Sequence, residues 1–261
     1  MIRFTRLPLF ACLIGCALLS LSQSLLAQTD IVREFRHYYI DSDPKRPFAA
    51  TFLGVPMMQN PADMWMFQEI ITEIAPDIII ECGTAYGGGT LYLATMLQQV
   101  NPAGKVITID LSPGLEGSIS RLKDRPRLYA RVQSIFSSTI EVITGNTLDP
   151  AILASLRKRI QGKKVLITLD SCHNYEHVLK EILAYGKMVS KGSYLIVQDT
   201  IIDEKEAYID QYGDCPGYTQ RGGPGRAVKE YLATHDDFVA DDCGEKYLLT
   251  FYPGGYLKKV K

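Results

Sequence analysis

From Pro61 onward the chain alternates short apolar runs with stretches of helical periodicity. Met64-Trp65-Met66-Phe67-Gln68-Glu69-Ile70-Ile71, bounded by Pro61 and Pro76, predicts a helix. Ile78 to Glu81 predicts a strand, Leu91 to Val100 a helix, and Val106 to Asp110 and Ile140 to Thr144 two further strands. Pro150 to Ile160 predicts a helix capped by Asp149, Val165 to Asp170 a strand, Tyr175 to Val189 a helix, and Tyr194 to Asp199 a strand. A last helix is expected over Ala227 to Thr234. Tyr247 to Tyr252, the turn Pro253-Gly254-Gly255 and Tyr256 to Val260 read as a hairpin that closes the sheet antiparallel. Strands alternating with helices place the chain in the α/β class, as a Rossmann-like, doubly wound and mostly parallel sheet.

The N-terminal pattern is different. Leu7 to Ala27 holds no charged residue, and Arg3 and Arg6 precede it. A charged start followed by an apolar run is the pattern of a secretory signal, with Ala27 as the residue before cleavage. The same 21 residues are long enough to span a bilayer, so an uncleaved membrane anchor is the alternative. Leu13-Ile14-Gly15-Cys16 offers a third reading, acylation at Cys16, against which the long apolar continuation speaks. Arginines on the N-terminal side put the rest of the chain outside the cytoplasm, exported to the periplasm or membrane-anchored. The expected organisation is thus an export or anchor segment over 1–27, an N-terminal extension over 28–60 that is helical at first, and one domain over 61–261.

Composition narrows the function classes. With 28 Lys and Arg against 29 Asp and Glu, the net charge is -1 and there is no basic footprint for nucleic acid. The 46% hydrophobic and 22% charged content is that of a globular chain. Of the six cysteines, Cys215 and Cys243 lie in polar, turn-rich surroundings, where a disulfide and two free thiols are equally open.

Chemistry concentrates at strand ends. The strand ending at Glu81 runs into Cys82-Gly83-Thr84-Ala85-Tyr86-Gly87-Gly88-Gly89, a glycine cluster that opens a helix. Glycines there let backbone approach a ligand at the carboxyl edge of an open sheet. The spacing Gly-x-x-x-Gly differs from the dinucleotide fingerprint and disfavours a bound pyrophosphate. Asp110 ends the next strand 27 residues after Gly83, where a carboxylate can accept from the ribose hydroxyls of a nucleoside-containing cofactor. Asn146, in Thr144-Gly145-Asn146-Thr147, is a candidate for an adenine edge, although Gly-Asn is also a common turn. Asp170 and Asp199 end two strands 29 residues apart, with His173 in the loop after Asp170. Two carboxylates on one edge suit Mg²⁺ or a similar hard divalent ion, which would activate a substrate hydroxyl with His173 as general base. Cys172 has no histidine partner in the sequence that would make it a nucleophile. Arg221-Gly222-Gly223-Pro224-Gly225-Arg226 reads as an anion-binding loop or lid, or as a solvated turn, and substrate contacts are expected over Asp203 to Tyr218.

In order and spacing, these motifs resemble the cephalosporin hydroxylase family, which includes the rhamnosyl O-methyltransferases. The resemblance rests on the Glu81-Cys82-Gly83 loop with Gly87-Gly88-Gly89, Asp110, Leu169-Asp170-Ser171-Cys172-His173, Val197-Gln198-Asp199-Thr200, Gly223-Pro224-Gly225 and Pro253-Gly254-Gly255-Tyr256-Leu257. It covers roughly residues 45 to 261 and implies the class I S-adenosylmethionine-dependent methyltransferase fold, with a seven-stranded sheet. It further implies S-adenosylmethionine over the loop of Glu81, Gly83, Thr84, Tyr86 and Gly87, its ribose on Asp110, and a divalent metal near Asp170 and Asp199. Gln198 stands where the family often has a second acid; its amide can offer the metal an oxygen with less charge. The function so implied is metal-assisted O-methylation of a hydroxyl on a small molecule or glycan, by a chain that associates with the membrane through its N-terminal segment and whose homo-oligomeric state is open. Export would require the methyl donor to be delivered from the cytoplasm. An exported, non-catalytic small-molecule-binding protein on the same fold is therefore the first alternative. A nicotinamide-dependent oxidoreductase, disfavoured by the glycine spacing, is the second.

Overall fold

The computed structural model describes residues 31–43, 49–205 and 222–261. The chain divides into two compact units, residues 1–44 and 45–261. The first is described as one helix, α1, over 31–41, which agrees with a helical start to the extension. The expected signal or anchor segment lies outside the described residues. No helix among the described residues is long and apolar enough to cross a membrane.

The second unit begins with two short antiparallel strands, β1 (Thr51–Phe52) and β2 (Val55–Pro56). Helix α2 (Pro61–Ile74) starts with proline in its first turn and Asn60 as its cap, whose Oδ1 accepts from the Ala62 amide. Then come β3 (Ile78–Cys82), α3 (Gly88–Val100), β4 (Lys105–Asp110), α4 (Leu115–Ser120), α5 (Pro126–Thr139), β5 (Ile140–Thr144) and α6 (Pro150–Arg159). After them lie β6 (Val165–Leu169), α7 (Tyr175–Tyr185), β7 (Tyr194–Val197), α8 (Pro224–Thr234), β8 (Phe238–Ala240) and β9 (Tyr256–Lys259).

One seven-stranded sheet organises these elements, in the order β5-β4-β3-β6-β7-β9-β8. Strands β3 to β7 are parallel, and β9 runs antiparallel between β7 and β8. Central strands β3, β6 and β7 are buried along their whole length, as their unbroken apolar runs require of strands covered on both faces. The strand order reverses between β3 and β6, so a crevice opens beyond their carboxyl ends. Asp149 caps α6 as expected, accepting from the Ala151 and Ile152 amides. Asn174 caps α7 in the same way, and Asp170 is thereby left to the crevice.

The C-terminal hairpin differs from its expected form. Its second strand is β9, but the partner is Phe238–Ala240 and not Tyr247 to Tyr252. Residues Asp242–Tyr247 form a 3₁₀ helix instead. The cause is the carboxylate of Asp63, fully buried on α2. It accepts from the Phe251 amide, the Thr250 hydroxyl and the Tyr256 hydroxyl, and Thr250 Oγ1 in turn accepts from the Tyr252 amide. The Phe251 amide that a ladder would use is spent on this buried acid, and the Leu249 and Phe251 carbonyls accept from Asn60 Nδ2 and the Ile201 amide.

Candidate active site

The loop after β3 is built by close approach. Gly83 has φ +98, and a Cβ there would fall on the carbonyl oxygen of Asp170, which follows β6. Gly87 has φ +86, and a Cβ there would run into the Leu115 side chain. Asp110, at the end of β4, then fixes the loop: its Oδ2 accepts from the Thr84 and Ala85 amides at 2.8 and 3.0 Å, and its Oδ1 from the Ser112 amide at 2.8 Å. A cavity of about 410 Å³ lies against this loop, lined by Gly83, Asp110, Asn146, Asp170 and Ser171 among others. Of the residues expected at the cofactor, Gly83, Asp110 and Asn146 line it; Glu81, Thr84, Tyr86 and Gly87 do not.

Glu81 is buried and turned away, accepting from Thr90 Oγ1 at 2.5 Å. Burial pushes its carboxyl up to about 8, against hydrogen bonds from Thr108 and Thr90 that pull it down. Thr84 is buried as well, with its hydroxyl 2.6 Å from that of Thr108. Tyr86 is about half exposed. The Asn146 Oδ1 accepts from the Leu148 amide at 2.8 Å, which fixes the side chain in the turn.

On the other side of the switch point, Asp170, His173 and Asp199 converge. Their ligand atoms lie within 4.8 Å of one another. His173 Nε2 is 3.3 Å from Asp170 Oδ1 and 3.4 Å from Asp199 Oδ2. Asp199 follows β7 with a left-handed backbone, φ +54, and a 3₁₀ turn continues from it. Burial pushes its carboxyl well above the usual range; the His173 ring pulls it back and the Asp170 charge adds to the rise.

Gln198 does not join this group. Its Nε2 donates to Thr168 Oγ1 at 2.7 Å and its Oε1 accepts from the Tyr252 hydroxyl at 2.6 Å. Both ends of the amide are committed to buried neighbours, so the expected metal oxygen is not on offer. Two residues that the sequence did not single out take its place around Asp170. Gln59 donates from Nε2 to Asp170 Oδ2 at 2.8 Å, and the Tyr252 hydroxyl bonds to Gln59 Oε1. Neither stands in a motif that marks it. His177 also lines the cavity; its four-residue spacing to Glu181 on a helix was the available signal.

The thiols depart from the open expectation. Cys243 is a free thiol, so no pair with Cys215 forms, and Cys215 lies outside the described residues. Cys172 is disulfide-bonded, which removes it as a nucleophile. Of the arginine loop, residue 221 lies outside the described residues, while the Arg226 guanidinium sits 4.9 Å over the Tyr175 ring. The substrate contacts expected over Asp203 to Tyr218 fall largely outside the described residues.

A mostly parallel sheet closed by an antiparallel last strand, with a glycine-loop cavity at its switch point, is the architecture of the class I methyltransferase fold. The chain belongs to the Rhamnosyl O-methyltransferase/CmcI family, whose model matches residues 46–260. It is 31% identical over 214 residues to a rhamnosyl O-methyltransferase of Mycobacterium tuberculosis (strain ATCC 25618 / H37Rv), spanning 79% of this chain and 77% of that one. The Mycobacterium leprae (strain TN) protein of the same name is 26% identical over 211 residues, spanning 79% and 82%. Among solved structures, CmcI with Mg and SAM shares the fold at a TM-score of 0.53 and 18% identity, over 81% of this chain and 77% of that one. Family membership and its curated relatives make the chain an S-adenosylmethionine-dependent O-methyltransferase.

Proposed function

We propose that the enzyme methylates a sugar hydroxyl, on a rhamnosyl or similar glycoside, with a divalent cation held by Asp170 and Asp199. One observation carries the reading: Asp170 both lines the cofactor cavity and belongs to the Asp–His–Asp group. Methyl donor and acceptor hydroxyl therefore meet at one side chain. The donor set fits a hard cation, since two carboxylates face each other with one imidazole between them, and a cation would relieve their mutual repulsion. When bound, such an ion lowers the pKa of a hydroxyl beside it.

The remaining work falls to the chain. The loop at Gly83 and the Asp110 carboxylate hold the donor, and Gln59 holds Asp170 in register. In the transfer, the hydroxyl oxygen bonds the methyl carbon and the carbon–sulfur pair returns to sulfur, leaving S-adenosylhomocysteine. The hydroxyl proton leaves to the Asp170–His173–Asp199 group, in which the His173 ring is the base. Positioning of the two reactants supplies most of the rate. A second reading makes His173 a third metal ligand, favoured by the nearness of Nε2 to both carboxylates.

The test is Asp170→Asn in the full chain, assayed with labelled donor against a panel of deoxysugar glycosides, with Mg²⁺ and with chelator. Turnover that needs the cation should drop by at least about a hundredfold. Affinity for S-adenosylhomocysteine should stay within roughly threefold, because the loop and Asp110 are untouched. Wild-type activity that survives chelation would remove the metal from the mechanism.

A further inference from the structure

The wall of the cavity around Asn146 holds a polar group that the transfer itself does not use. We propose that His177 reads the amino edge of the cofactor's adenine through Nδ1, with Glu181, Ser171 and Thr147 fixing the ring. The inference rests on the cavity being the S-adenosylmethionine site.

His177 lies in the first turn of α7, and Glu181 lies one turn further on, fully buried. The His177 Nε2 is 3.2 Å from Glu181 Oε1, 3.2 Å from Ser171 Oγ and 3.3 Å from Thr147 Oγ1. Both hydroxyls donate to Glu181 Oε1, at 2.7 Å from Ser171 and 2.5 Å from Thr147. Each hydroxyl has one proton, and each is spent there. All three atoms facing Nε2 are therefore acceptors, and Nε2 must carry the hydrogen. In the neutral ring, Nδ1 is left as a bare acceptor. Among the described residues, no protein group bonds to it.

Asn146 shares this wall and is complementary. Its Oδ1 already accepts from the Leu148 amide, whereas its Nδ2 has no partner among the described residues, so the group it offers a ligand is the Nδ2 donor. A donor from Asn146 and an acceptor from His177 match N1 and the exocyclic amino group of adenine. Hypoxanthine presents the reverse, an N1–H donor and a carbonyl acceptor, and should be refused. The side chain expected from sequence to read adenine thus supplies half of the recognition. His177 supplies the other half.

The test is calorimetric titration of the full chain with S-adenosylhomocysteine and with S-inosylhomocysteine. Wild type should favour the adenine ligand by roughly tenfold or more. His177→Ala should weaken S-adenosylhomocysteine by about tenfold and level the preference. His177→Asn, whose amide oxygen can stand near the Nδ1 position, should restore part of it. A ring that only shaped the wall would lower both ligands alike, so an unchanged preference in His177→Ala would overturn the assignment. Failure of wild type to bind either ligand would overturn the cofactor reading beneath it.

Discussion

The two halves of the sheet's carboxyl edge are built differently. Beyond β3, β4 and β5, the cofactor side is held by bonds within turns and between the ends of adjacent strands: Asp110 to the Ser112 amide and, 26 and 25 residues away, to the Thr84 and Ala85 amides, and Asn146 to the Leu148 amide. Beyond β6 and β7, the reacting side is assembled from afar. Gln59 reaches Asp170 across 111 residues, and Tyr252 reaches Gln198 across 54 and Gln59 across 193. The segment that carries Tyr252 is itself held on α2 by Asp63. A cofactor site made from backbone and loop ends tolerates change around it but not within it. A reacting site made from side chains of distant segments depends on every segment being seated.

The sharpest way to break the cofactor side is at Gly83. Gly83→Ala should cost about 3 kcal/mol or more, because the methyl group meets the Asp170 carbonyl and the residue must also hold φ +98. Thermal unfolding would report the loss, and calorimetry should find S-adenosylhomocysteine binding abolished in whatever remains folded. Since that methyl presses on the chain at Asp170, cation-dependent turnover should vanish with it. A stable variant that still binds the cofactor would mean that the β3 and β6 loops are not locked together as the backbone suggests.

This difference also decides what the sequence makes legible. The strand ends at Asp110, Asp170 and Asp199, the cap at Asp149 and the glycine loop all arise from patterns a few residues long, and each lies where those patterns put it. The C-terminal segment does not. Tyr247 to Tyr252 has the composition of a strand, but its Thr250 hydroxyl and Phe251 amide go to Asp63, which lies almost two hundred residues away. The outer partner of β9, Phe238–Ala240, is three residues long and too short to stand out. Gln198 shows the same limit at a single side chain. A polar residue at a strand end resembles a ligand, and only the folded neighbours Thr168 and Tyr252 reveal that its amide is already engaged.

Buried acids sharpen the comparison next, through Asp63 on the reacting side and Glu81 on the cofactor side. Asp63 accepts from Asn60, Thr250, Tyr256 and the Phe251 amide, and burial raises it only to about 6. Glu81 has hydrogen bonds from Thr90 and Thr108 alone, and burial raises it to about 8 from the 4.5 of an unburied carboxyl. Its folded pKa exceeds its unfolded one, so the folded state holds the proton more tightly. The stability this confers is complete below about pH 4.5 and is lost as pH rises through about 8. Wild type should therefore weaken by a few kcal/mol, to order of magnitude, between pH 5 and 8.5 relative to Glu81→Gln. Chemical denaturation of both proteins across that range isolates the effect, since Asp63 is common to them and cancels. A gap between the two that does not widen with pH would show Glu81 to be ionised in the native state.

The smallest expected effect falls on the reacting side, at the Tyr252 hydroxyl. It is buried between the side-chain oxygens of Gln59 and Gln198, and has one proton for the two. Tyr252→Phe should cost about 1 kcal/mol of stability, the scale of one buried hydrogen bond. Its larger consequence is indirect: Gln59 loses the contact that orients it, and Asp170 loses a fixed donor at Oδ2. Turnover should fall by roughly tenfold, while S-adenosylhomocysteine affinity stays as in wild type, because Tyr252 bonds to Gln59, Gln198 and Thr250 and, among the described residues, to none that holds the cofactor loop. A purely structural tyrosine would lower the melting temperature and leave kcat alone. Equal losses in cofactor affinity and in turnover would mean that the two halves of the edge are one mechanical unit and that the division between them does not hold.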